Sequence, residues 1–77
     1  MQNDNRDITM TEIRCITMYD EAKAEMVQTF ENGVQLITCR KTGITGVFIA
    51  GELKSKYQYL PIDEYMDLQL EVQKLTI

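Results

Sequence analysis

A small single α+β domain, ordered β-α-β-β-β-α around an antiparallel sheet with a C-terminal helix, is the fold class this sequence predicts. Three observations predict it. Several segments rich in Val, Ile, Thr and aromatic residues alternate with period two. Two others, 20–32 and 62–75, switch to helical spacing and helix-forming composition. The length, 77 residues with 44% hydrophobic and 26% charged, fits one globular core near the lower limit for a self-sufficient domain. A small β-barrel with a C-terminal helix is the alternative the same pattern allows.

The first seven residues, "MQNDNRD", are polar and aperiodic, and are expected to form a flexible tail ahead of a domain spanning 8–77. In "TEIRCITMY", Ile13, Cys15, Thr17 and Tyr19 alternate with Arg14, Ile16 and Met18, which predicts a strand. Within 20–32, Asp20 is a capping residue, Asp20 and Glu21 suit a helix N-terminus, and Gly33 can supply a left-handed C-terminal residue. Ala22, Met26 and Phe30 fall at i, i+4 and i+8, the spacing of one helical face. The competing possibility is a strand over "EMVQTF" that turns at Asn32-Gly33, a favoured hairpin dipeptide. "VQLITCRK" and "ITGVFIAG" read as two central strands joined near Thr42-Gly43, and "KYQYL" as a fourth strand after a connection at "GELKSK". Pro61 suits the start of the closing helix.

The loop between the two central strands carries Arg40, Lys41, Thr42, Gly43 and Gly46. Its Gly-x-x-Gly spacing is similar to the clamp loop of KH domains, but that clamp needs a helix on each side, whereas here β-branched and aromatic residues flank the glycines. "RKTG" also lacks the spacing of a Walker loop and does not open a helix. The loop is a hairpin turn.

Composition narrows the chemistry. There is no histidine, and Cys15 and Cys39 are too few and too far apart for a zinc site, so no metal and no cofactor is expected. A cysteine nucleophile would lack its usual base, and Ser55, the one serine, lies between two lysines. The protein is therefore expected to be non-enzymatic, with no catalytic residues. No secretory signal precedes the domain and no apolar run approaches the roughly 20 residues of a membrane span, so two buried, reduced thiols in a cytoplasmic protein are expected. A Cys15–Cys39 bridge is possible only if their strands are neighbours.

The net charge of −4 is uneven: 1–33 and 61–77 are acidic, and 34–60 is basic. An acidic total disfavours nonspecific nucleic-acid binding as the main task, but leaves room for a basic patch of Arg40, Lys41, Lys54 and Lys56 on the central segment. "KSKYQY" interleaves base and aromatic as single-strand binders do, although tyrosines there suit a core and lysines a sheet edge.

The closing helix is the most informative element. At about 100° per residue, Asp63, Glu64, Asp67, Glu71 and Lys74 occupy one arc, while Ile62, Tyr65, Met66, Leu68, Leu70, Val72 and Leu75 spread over more than half the circle. A helix covering its own sheet needs a stripe of only about 100° or somewhat more. The edge formed by Ile62, Tyr65, Met66 and Leu70 is therefore assigned to a homodimer seam or a protein partner, with Asp63 and Asp67 beside it for a basic one.

The order "ITMYDEAKAEM", "FENGVQLITCRK", "VFIA" and "IDEYMDL" also resembles Phd/YefM-type antitoxins, with Glu21-Ala22-Lys23, Ile37-Thr38 and Glu64-Tyr65 as the matching residues. The chain differs in a shorter first helix, in Cys39 and Thr42 where the family has a compact Arg-Arg-Gly turn, and in the inserted residues 51–61. That resemblance implies a dimeric, DNA-binding antitoxin that neutralises a basic toxin. The residues themselves predict a small acidic, non-enzymatic protein-binding module, and analogy with small acidic proteins of phage or mobile elements makes it an expected inhibitor or regulator of a partner protein.

Overall fold

The structure, a computed structural model, describes residues 12–76. The expected tail, 1–7, lies outside the described residues. Five strands precede one helix: β1 (Cys15–Asp20), β2 (Glu25–Phe30), β3 (Gln35–Cys39), β4 (Ile44–Ile49), β5 (Glu52–Gln58) and α1 (Ile62–Gln73). The strands form an open antiparallel sheet in the order β1-β2-β3-β4-β5, each joined to the next by a hairpin.

The helix expected over 20–32 is absent. Asp20 does cap, but it caps a turn: its carboxylate accepts from the Lys23 amide at 3.2 Å. Residues 25–30 then run back antiparallel to β1, with Cys15 opposite Phe30 and Tyr19 opposite Met26. The reason lies in β-branched Val27 and Thr29 and in the Asn32-Gly33 turn that follows, where Gly33 takes φ +90°. The fourth expected strand also begins earlier than "KYQYL". Ala50 and Gly51, at φ +55° and +81°, make a two-residue turn, so β5 starts at Glu52.

Alternation along the strands sorts side chains onto two faces. The α1 face holds the core of Phe30, Val34, Leu36, Val47, Leu68 and Val72, with Ile13, Cys15, Ile49, Leu60 and Tyr65 packed around it. This interface is partly polar. The Gln28 side-chain oxygen accepts from the Tyr65 hydroxyl at 2.6 Å and from the Gln69 amide at 2.9 Å, and Thr38 and Thr45 hydroxyls pair at 3.0 Å. Burial against the sheet pushes the Tyr65 phenol above its ordinary range, with Thr38 acting in the opposite direction.

Side chains also tie down the C-terminal end of α1 against the sheet and the segment that enters it. The Asn32 amide donates to the carbonyls of Val72 at 2.8 Å and Leu75 at 3.0 Å, satisfying acceptors that a helix C-terminus leaves open. Gln73 accepts from the Arg14 amide at 2.9 Å and donates to the Glu12 carbonyl at 2.7 Å, so the segment entering β1 is strapped to α1.

Candidate protein-binding face

The face of the sheet opposite α1 carries a broad apolar area interrupted by the polar residues Asp20, Glu25, Thr29, Gln35, Lys56 and Gln58. The strand pairings place its side chains in rows. The middle row runs Met18, Val27, Ile37, Gly46, Lys56 from β1 to β5. Above it lie Ile16, Thr29, Gln35, Phe48 and Leu53; below it Asp20, Glu25, Cys39, Ile44 and Gln58. Leu53 joins this face because the β4–β5 register shifts between Val47 and Phe48, leaving Lys54 as the extra residue of a bulge. Ile16 is 70% exposed, Met18 66% and Leu53 47%, while Val27, Ile37, Ile44 and Phe48 are half-buried by their neighbours.

The face is not flat. Gly46 is buried in the middle row, where the side chains of Leu53 and Phe48 close over it: a Cβ there would stand 2.9 Å from both. Beside it is a hollow of about 250 Å³, walled mainly by Ile37, Ile44, Phe48 and Leu53, with Glu25 and Lys56 at its rim. Cys39 and Thr42 line the same hollow. The Thr42 hydroxyl, with the amides of Thr42 and Lys41, holds the Cys39 thiol below its ordinary range.

The residues assigned from sequence to a partner surface divide. Ile62 and Met66 are exposed, at 76% and 48%, and Asp63 and Asp67 are exposed beside them. Leu70 is half-buried, and Tyr65 turns inward to Gln28. Glu64, Asp67 and Glu71 line a shallow groove against Tyr57 of β5. The basic residues are dispersed: Arg40 and Lys41 stand in the β3–β4 turn, Lys54 pairs with Glu52 at 2.9 Å, and Lys56 stands on the open face. The β3–β4 loop is a turn, as expected, and Gly43 at φ +75° makes room for the Tyr59 ring, which a Cβ would strike.

The cysteines are free but only half-buried, which corrects the expectation of burial. Cys15 is on an edge strand facing α1, and Cys39 is on the open face. With β2 between their strands and five residues of register between them, no bridge can join them. Among the described residues no group of three or more His, Cys, Asp or Glu gathers as a metal site, and no helix is long and apolar enough to cross a membrane.

Comparison with protein families, with characterised proteins and with solved structures returns no match. The antitoxin resemblance fares poorly on element order, since Glu21-Ala22-Lys23 lies in the β1–β2 turn instead of opening a helix. The open sheet face was missed in the sequence, although a signal for it existed. "VQLITCRK" and "ITGVFIAG" alternate imperfectly because both of their faces are apolar, and only one face meets a helix.

Proposed function

We propose that this chain is a non-enzymatic protein-binding domain that inhibits or regulates the protein it docks on, with the open sheet face as its working surface. The supporting observation is the uncovered row Met18, Val27 and Ile37, continued by Ile16, Phe48 and Leu53, on a sheet whose other face is occupied by α1. Soluble monomers rarely leave contiguous apolar patches larger than a few hundred Å² uncovered. At about 25 cal/mol per Å², covering such a patch is worth several kcal/mol, enough to drive association. The exposed helix edge at Ile62 and Met66, with Asp63 and Asp67, serves as a secondary contact that favours a basic partner.

The test is affinity capture from a cell lysate, identification of the captured protein, and titration with two full-length variants. Val27→Lys puts a charge in the middle of the open face, and Met66→Asp puts one on the helix edge. Val27→Lys is expected to weaken binding at least about tenfold, with thermal unfolding little changed, because desolvating an unpaired charge costs several kcal/mol. Loss of binding in Met66→Asp alone would move the site to the helix, and loss in neither would refute the proposal.

A further inference from the structure

We infer that the occupant of the open sheet face is a second copy of this chain, packed face to face about a twofold axis that runs along β3 through Ile37. The inference rests on the reading that this face is the working surface, and it names what covers that face when no regulated protein is docked.

The row pattern is self-complementary about that axis. In the middle row, Val27 and Gly46 are the immediate neighbours of Ile37 on its two sides. Rotation about β3 sets Ile37 against its own copy and each Val27 over the other copy's Gly46, beside the hollow of about 250 Å³. A branched aliphatic side chain thus meets the Phe48 and Leu53 side chains that cover Gly46 and wall the hollow, on both sides of the axis. The same rotation lays Ile16 over Leu53, pairing two exposed apolar residues at opposite edges of the sheet. Sheets packed this way keep their strands within about 30° of one another, so the rows stay in register near the axis.

Charge selects this axis over the other one available. A twofold axis across the strands sets each strand on its own copy, so the two Lys56 ammonium groups face each other and Asp20 lies over Ile16. Rotation about β3 instead sets Lys56 over Met18, one step along the strand from Asp20, where an attraction replaces a repulsion. The area is adequate. Five strands about 4.8 Å apart and about six residues long offer roughly 500 Å² per copy, so the pair covers about 1,000 Å², the lower bound for a specific interface. A reversible dimer follows.

Sedimentation velocity on the full chain across a concentration series tests this. The expected result is a concentration-dependent rise to twice the chain mass, abolished by Ile37→Lys, which places two like charges at the axis, and kept by Ile62→Lys on the helix. Ile16→Glu, at a highly exposed position, gives the same loss and serves if Ile37→Lys fails to fold. A short bis-maleimide provides a second readout. Cys39 meets its own copy across the axis at about the 10 Å spacing of packed sheets, so Cys39–Cys39 links are expected and Cys15 links are not. A monomer at every concentration overturns the inference. If Val27→Lys still abolishes capture of another protein, the open-face reading survives and the occupant is that protein. A dimer that persists in Ile37→Lys and Ile16→Glu but is lost in Ile62→Lys overturns the inference in favour of a helix seam.

Discussion

Cys39 ends β3 on the open face, where the Thr42 hydroxyl and the amides of Thr42 and Lys41 favour its thiolate. Cys15 has a different setting, packed against the α1-side core at the far end of the sheet. At neutral pH the alkylation rate follows the thiolate fraction and access, so Cys39 is expected to react with iodoacetamide before Cys15. Removing the hydroxyl with Thr42→Val should move the pH midpoint of Cys39 labelling upward, toward the ordinary thiol range. Mass spectrometry of partially labelled protein reads both outcomes, and equal labelling of the two cysteines contradicts this account of the loop. The sequence placed both thiols in strands correctly but assumed burial. Which face a strand residue takes depends on where the covering helix lies, and that is decided far away in the chain.

At the scale of elements, the segment 20–32 shows why period alone was not decisive. Ala22, Met26 and Phe30 are spaced by four residues, and a spacing of four is even, so it marks one face of a strand as readily as one face of a helix. Composition at 21–25 favoured helix, while Val27, Thr29 and Asn32-Gly33 favoured a hairpin, and pairing with β1 settles it. The closing helix, by contrast, was legible almost to the residue, because its acidic arc and apolar arc have no strand equivalent. Asn32 links the two elements. It closes its own turn by accepting from the Val34 amide at 3.0 Å and also caps the C-terminal carbonyls of α1. Asn32→Ala is therefore expected to cost about 1–2 kcal/mol in a denaturant melt, and Asn32→Asp to recover only part of it, since a carboxylate keeps the turn acceptor but loses both donations. An unchanged melting midpoint in Asn32→Ala contradicts a joint role for this residue.

For the whole molecule, the loss of the expected first helix has a functional consequence. Two helices supply cover for both faces of a sheet, whereas α1 alone covers one. The apolar residues that made β3 and β4 look central therefore leave a second face open. The sequence reading put the excess apolar surface on the helix edge, and Ile62 and Met66 are indeed exposed there. The larger excess is on the sheet, where it became visible only once strand order and register had assigned a face to each residue. The two surfaces can be told apart directly by methyl NMR. Spectra of Ile and Met methyl groups, recorded with a soluble paramagnetic agent as protein concentration or captured partner is raised, report which surface is covered. The expected result is progressive protection of the Ile16, Met18 and Ile37 methyls, with Ile62 and Met66 less affected. Protection of Ile62 and Met66 while the three sheet methyls stay accessible would contradict the assignment of the open face as the binding surface.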